Sequence, residues 1–172
     1  MKIGITEAGD PSVNYEWTKK TNEMNGIILI TKNLTDKFIE EILKIKDKTI
    51  LHCSCTGYGG TIVEPKLPTY QVQIKQLHKL ISYGFKVEHV VLRIDPIIPS
   101  KKGLELVEHV LKYTKETIPE IKRVRISIMD LYPHVFKRFQ EKGISSYLPY
   151  QNKTLSDLDF EKIDEFLNYL KI

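Results

Sequence analysis

The chain alternates between short apolar runs and segments of helical spacing, and this alternation limits the fold more than any other feature. Five apolar runs have the length and composition of strands: 2–6, 26–31, 49–55, 88–94 and 123–129. The segments between them carry apolar residues three or four positions apart, as amphipathic helices do. Strand and helix units repeated in this way predict an α/β fold, in which helices cover a parallel sheet.

Residues with known preferences for helix ends mark the predicted helices. Thr35 is a favourable N-cap for a helix over 36–46. A helix over 70–83 ends before Gly84, which lacks the Cβ that opposes a left-handed backbone. Further helices are predicted over 11–24, 103–114, 133–143 and 157–170, the last of them strongly amphipathic.

Five strand and helix units fit two architectures. The first is a partial, TIM-like β/α barrel, because a complete barrel typically needs about 250 residues and this chain has 172. The second is an open doubly wound sheet, in which the strand order reverses. No linker or change of composition divides the chain, so we expect one β/α domain over 1–172, with the partial barrel favoured. An incomplete barrel leaves a sheet edge, which the last helix or a second copy of the chain could cover.

Composition limits the partners and the location of the protein. The sequence begins with a predicted strand rather than a signal peptide, and no apolar run approaches the roughly 18 residues that a membrane span needs. A cytoplasmic protein with no membrane partner is therefore expected. The net charge of +4 comes with dispersed lysines that form no basic stripe, so nucleic acid is the weakest partner hypothesis. A small anionic ligand is the favoured one.

Cys53 and Cys55 are the two cysteines of the chain, and they lie in one predicted strand. Residues two positions apart in a strand point to the same face, and thiols under helices behave as small buried hydrophobic residues. A metal site would need one or two further Cys or His ligands, and the five histidines follow no metal-binding spacing. We expect buried thiols and no metal site. Of the histidines, only His52 and His134 fall at predicted strand ends.

Polar side chains follow the predicted strands at their carboxyl ends, where α/β proteins place their sites. Arg93 and Asp95 alternate along one strand and so point to the same side, either as part of a site or as a structural ion pair. Cations there would bind a carboxylate or phosphate, and an acidic group would transfer a proton. We predict catalytic roles for Glu7, Arg93 and Asp95, and ligand contacts from Lys32, Asn33, Ser54, Thr56, Tyr58, Gly59, Gly60, Arg125 and Ser127.

The loop over 58–67 is long for a connection between a strand and a helix, which is typical of functional loops. Gly59 and Gly60 would allow backbone N–H groups to approach an anion, and we expect one of them at positive φ. A plain solvent-facing turn is the alternative. Neither a Walker motif nor a G-x-G-x-x-G fingerprint occurs in the sequence, so no nucleotide site is predicted by motif.

Motifs at these strand ends also carry a family resemblance: Gly4-Ile5-Thr6-Glu7, Leu29-Ile30-Thr31-Lys32-Asn33, Thr56-Gly57-Tyr58-Gly59-Gly60 with Glu64-Pro65, Arg93-Ile94-Asp95-Pro96, and Ser127 to Asp130 with Tyr132-Pro133. Over residues 3–143 the chain resembles an uncharacterised family related to spore photoproduct lyase and the radical S-adenosylmethionine (radical SAM) enzymes. The Thr-Gly-Tyr-Gly and Arg-x-Asp-Pro elements are the most specific parts. The resemblance implies a partial β/α barrel whose rim holds substrate and, in the radical enzymes, an iron–sulfur cluster with S-adenosylmethionine.

The sequence departs from that pattern at its cysteines. Radical enzymes bind the cluster through a CxxxCxxC run, which is missing here. In the related proteins cysteines cluster nearer the C-terminus, so we expect either a shortened, cluster-free member or a chain that lacks a cysteine-rich C-terminal segment. An iron–sulfur cluster and S-adenosylmethionine are expected only if further cysteines are supplied.

Together these features predict a radical-SAM-like β/α barrel protein that binds a small anionic or nucleotide-type ligand at the C-terminal rim of its strands. An enzyme is favoured. The alternative is a non-catalytic ligand-binding or partner module of the same fold, and a homodimer that covers a sheet edge is left open.

Overall fold

The strands of the protein form an open parallel sheet in a computed structural model that describes residues 1–6, 9–98, 100–129 and 132–144. The five strands are β1 (Ile3–Ile5), β2 (Gly26–Thr31), β3 (Thr49–Ser54), β4 (Val90–Ile97) and β5 (Val124–Ile128). Each pairs in parallel with the next, so the order in the sheet follows the order in the chain. The α/β prediction is confirmed. The reversal of strand order that defines the doubly wound alternative is absent among these five strands.

The helices agree with the predicted segments except at the beginning of the chain. They are α1 (Asp36–Leu43), α2 (Tyr70–Ser82), α3 (Lys101–Thr117) and α4 (Pro133–Glu141). Thr35 caps α1 by accepting a hydrogen bond from the Phe38 amide, as predicted, and Ser100 caps α3 by accepting from the Gly103 amide. Because Ser100 is the N-cap, α3 begins two residues before the predicted segment. The segment 157–170 lies outside the described residues.

The predicted first helix over 11–24 is wrong in type and extent. A 3₁₀ helix over Glu16–Glu23 is found instead. The side chain of Asp10 accepts a hydrogen bond from the Ser12 amide, and that of Asn14 accepts one from the Glu16 amide. Such turns, in which a side chain replaces a helical carbonyl, compete with the α-helix.

One face of the sheet is buried under the helices. Alternate strand residues such as Leu29, Leu51 and Leu92 are fully buried there, in a core completed by helix residues such as Phe38 and Leu77. The opposite face, here called the open face, carries the remaining strand residues, and no helix in the described ranges covers it. Ile3 and Ile5 on that face are 49% and 52% exposed. Parallel sheets are usually covered on both faces, so this exposure is unusual.

No helix in the described part of the chain combines the length and the hydropathy that a bilayer crossing requires.

Gly103 allows α3 to start close behind the end of β4. A Cβ atom at this position would lie 1.9 Å from the Ile98 carbonyl oxygen and 3.1 Å from the Tyr58 hydroxyl. A backbone carbonyl cannot move aside as a flexible side chain can. The close approach of the two segments therefore depends on the missing side chain.

We expect Gly103→Ala to lower the free energy of unfolding by about 1–3 kcal/mol, the usual effect of overpacking. In an ordinary helix position the same substitution raises the free energy of unfolding by about 1 kcal/mol, so the expected effect has the opposite sign. Denaturant unfolding measures the change. Gly26→Ala is the control, because its Cβ would meet no atom closer than 4.0 Å. A Gly103→Ala protein more stable than the wild type would contradict the packing described here.

Candidate functional site

The carboxyl ends of the strands border a cleft of about 640 Å³, here called the rim cleft. This volume is in the range of small-molecule sites. Side chains from all five strands or the segments that follow them line it: Thr6, Asp10, Lys32, Ser54, Arg93, Asp95 and Ser127. The structure thus brings five of the predicted site residues together at one end of the sheet, as expected. Glu7 lies outside the described residues.

Two arginines lie side by side on the open face. In the parallel register Ser54 pairs with Arg93, and Arg93 pairs with Arg125. Neighbouring strands are about 4.8 Å apart, and like charges directly opposite each other are destabilising. Arg125 is exposed and has no ion-pair partner among the described residues. We call Ser54, Arg93, Arg125 and Ser127 together the arginine row.

Asp95 neutralises only part of this charge. The Arg93 Nε donates to both carboxylate oxygens of Asp95, at 3.1 and 2.9 Å, and Nη2 donates to Oδ2 at 2.5 Å. The side chains of Arg93 and Asp95 are 19% and 8% exposed. The Nη1 group of Arg93 has no acceptor within the described part of the chain, so the guanidinium keeps donors for a further oxygen ligand.

Glu64 joins the loop after β3 to the end of β2. Its carboxylate accepts hydrogen bonds from the Lys32 ammonium and from the Thr56 hydroxyl. Its backbone carbonyl accepts from the Gly60 and Leu67 amides, at 3.1 and 3.2 Å. Glu64 was not among the predicted site residues. The sequence feature that could have indicated Glu64 is its acidic side chain in a long loop that follows a strand, next to a rim rich in cationic residues.

The two glycines of this loop have different structural roles. Gly60 has φ of +73°, which confirms the prediction that one of the pair adopts positive φ. Gly59 is needed for close approach instead, because a Cβ there would lie 1.8 Å from the Pro68 carbonyl oxygen. The Gly60 and Thr61 amides bond to carbonyls within the loop, so these N–H groups are not directed at an anion.

Tyr58 and Asn33 do not line the rim cleft. The Tyr58 side chain is buried in a second apolar cluster with Ile98, Phe139 and Ile144, and its hydroxyl accepts a hydrogen bond from the Ile98 amide at 3.0 Å. Asn33 is partly buried, and its backbone bonds to the Thr31 hydroxyl. Tyr58 therefore packs in the core and binds the Ile98 amide, and the Asn33 backbone is bound by Thr31.

Asp10 is a cleft residue that the sequence analysis missed. Its Oδ1 accepts from the Ser12 amide at 2.9 Å and from the Thr31 hydroxyl at 2.7 Å, and Oδ2 accepts from the Lys32 amide at 2.8 Å. It therefore holds the segment after β1 against the end of β2. The sequence Asp10-Pro11-Ser12, typical of a turn in which the aspartate caps the second amide, is the signal that would have indicated it.

His52 lies on the open face beneath the arginine row. The ring is half-buried, and its Nδ1 atom is buried without a hydrogen-bond partner. Burial lowers the pKa of His52, and the charges of Arg93 and Arg125 lower it further. The ring is therefore neutral at pH 7.

Cys53 and Cys55 are buried, as predicted. Burial raises the pKa of the Cys53 thiol well above its usual value and raises the pKa of Cys55 to about 12. Both thiols are therefore protonated near neutral pH. Within the described ranges no group of three or more His, Cys, Asp or Glu side chains could hold a metal ion.

Residues 4–170, nearly the whole chain, match the sequence model of a family described as a domain of unknown function, DUF1848. No curated protein and no solved structure matches the chain significantly.

We expect Glu64→Gln to loosen the loop over 57–69 with little change in global stability, because a partly exposed ion pair contributes about 1 kcal/mol or less. Amide hydrogen exchange at Gly60 and Leu67 should become about fivefold faster, the change that corresponds to about 1 kcal/mol of local stability. Glu16→Gln, which removes the exposed pair with Lys19, is the control. Unchanged exchange at both loop amides would show that Glu64 does not hold the loop.

Proposed function

This chain belongs to the DUF1848 family, whose description gives no activity, and we propose from the rim cleft that it binds a small anionic or nucleotide-type ligand there. The observation that carries the proposal is the position of Arg93 in the cleft, with the exposed Arg125 as its register partner on β5. Like charges at register-paired positions are destabilising, and an oxyanion bound beside the two arginines would offset their repulsion.

The neighbours of the two arginines support an oxyanion ligand. The Ser54 and Ser127 side chains line the rim cleft, and neither hydroxyl has a hydrogen-bond partner in the described part of the chain. Hydroxyl groups and guanidinium groups together match the several acceptor oxygens of a phosphate or carboxylate. In this proposal Lys32 adds positive charge from the β2 side, where Glu64 holds its ammonium.

The sequential parallel order of the strands and the uncovered open face support a partial β/α barrel. The relation of this barrel to the radical SAM enzymes is proposed from the motif resemblance alone. The residues present do not fit an iron–sulfur cluster, however. Cys53 and Cys55 are two protonated thiols in the core beneath the helices, whereas a [4Fe–4S] cluster is held by several thiolates. A cluster with S-adenosylmethionine would need cysteines from elsewhere.

An enzyme remains our preferred form of the proposal, with Arg93 binding the substrate anion, Asp95 orienting that guanidinium and Glu7 as the acid or base. One observation favours the alternative, a non-catalytic ligand-binding or partner module. Among the described residues, the carboxylates of Asp10 and Asp95, which line the cleft, and of Glu64, which binds the cleft residue Lys32, are all engaged in hydrogen bonds or ion pairs. Each of these carboxylates already accepts hydrogen bonds from groups of the protein itself. A cytoplasmic location and a homodimer across a sheet edge stay predictions.

Sulfate is a suitable probe for the arginine row, and we expect it to bind and to raise the melting temperature. Arg125→Ala should weaken sulfate binding by about tenfold or more, because a hydrogen bond to a charged group contributes about 1.5–3 kcal/mol. Calorimetric titration measures the affinity. Lys112→Ala, which removes an exposed lysine on α3, is the control for net charge. Equal losses of sulfate affinity in the two variants, or no sulfate binding to the wild type, would contradict the proposal.

Asp95→Asn tests whether the Arg93 charge is available to a ligand. We expect the free energy of unfolding to fall by about 3 kcal/mol, because the substitution leaves a mostly buried guanidinium without its counter-charge. Sulfate should then stabilise the variant more than the wild type, since the anion replaces the lost carboxylate. Thermal melts in sulfate and in sodium chloride of equal ionic strength separate binding from screening. Destabilisation with no specific effect of sulfate would assign the pair a purely structural role.

A further inference from the structure

His52 is a titratable side chain of the open face that the proposed ligand site does not use. It lies two positions before Ser54 on β3, so its side chain points to the same face as the arginine row. Its register partners are Ile30 on β2 and Val91 on β4, both aliphatic. Its Nδ1 atom is buried without a hydrogen-bond partner. No side chain in the described part of the chain therefore stabilises a protonated form of the ring through Nδ1.

The charges that act on His52 come from β4 and β5. The charges of Arg93 and Asp95 act on it from β4, that of Arg125 acts from β5, and that of Arg123 acts from the position just before β5. Burial lowers the pKa of His52 most, the three arginines lower it further, and Asp95 alone raises it. β2 contributes the uncharged Ile30. The ring is thus kept neutral by burial and by an excess of nearby positive charge.

We propose that His52 takes up a proton from solvent when a doubly charged oxyanion occupies the arginine row. This inference rests on the proposed function, because it requires an anion at that row. The anion cancels the positive charge that opposes protonation, as a nearby opposite charge favours the charged form of a titratable group. The proton forms an N–H bond on the imidazole, and no other bond is made or broken.

Proton uptake makes binding depend on pH. In the free protein the pKa of His52 is below its ordinary value of about 6.5, and in the complex it is raised. Binding of the dianion is therefore strongest below the pKa of the free protein, and it weakens as the pH rises through the pKa of the complex. A doubly charged oxyanion, such as a phosphate monoester or sulfate, is favoured over a monocarboxylate, because it cancels more of the positive charge.

Nuclear magnetic resonance of the labelled imidazole ring gives the direct test, with sulfate as the probe. Sulfate stays a dianion from about pH 5 to about pH 8, the range in which histidine titrates, so the ligand itself does not change. We expect saturating sulfate to raise the proton affinity of His52 by about tenfold, which is one pKa unit. Over the same range the affinity for sulfate should fall by about tenfold as the pH rises.

His52→Gln should bind sulfate with an affinity that no longer depends on pH, because glutamine keeps the polar volume and cannot take up the proton. His78→Gln, which changes an exposed histidine on α2, should keep the wild-type dependence. If the His52→Gln protein does not fold, the wild-type ring titration decides alone. Sulfate binding that leaves the His52 titration unchanged would overturn this inference and leave the proposed function standing. Failure of sulfate to bind at any pH would overturn both.

Discussion

The in-register parallel pairing of β3, β4 and β5 is the constraint on which the other features depend. Side chains alternate along each strand, so burying Leu51 and Leu92 under the helices places His52 and Arg93 on the opposite face. A slip by one residue would move an arginine into the core, at a large cost for an unpaired charge. The same register that fills the core therefore brings Arg93 beside Arg125, and the hydrophobic contacts hold the two like charges together.

Three carboxylates then determine how the remaining charge is distributed. Asp95 binds the guanidinium within its own strand, Glu64 binds Lys32 across two loops, and Asp10 binds the backbone at the end of β2. Glu64 and Asp10 each join segments that would otherwise be independent. Among the described residues the counter-charges lie at the ends of β2 and β4, whereas Arg125 on β5 has no ion-pair partner. In the proposed function, this uneven distribution of counter-charge leaves the β5 side of the rim as the one that attracts anions.

The sheet and the convergence of Lys32, Ser54, Arg93, Asp95 and Ser127 could be predicted from the sequence, because strand alternation is a local pattern and parallel strands share one end. The contacts of Glu64 and Tyr58 could not, since their partners Lys32 and Ile98 are 32 and 40 positions away. Tyr58 was predicted to contact a ligand because a loop tyrosine gives no local sign of burial. The first helix was predicted wrongly because apolar spacing does not reveal side-chain turns such as that of Asn14.

The hydrogen bond from the Ile98 amide to the Tyr58 hydroxyl has a mechanical consequence. It fastens the loop after β3 to the turn that leads from β4 into α3, while Glu64, in the middle of that loop, binds Lys32 directly after β2. A single loop thus connects the carboxyl ends of the three consecutive strands β2, β3 and β4. A displacement of this loop would disturb both the Tyr58 hydrogen bond and the Glu64 ion pair. The carboxyl ends of β2, β3 and β4 are therefore expected to move together rather than independently.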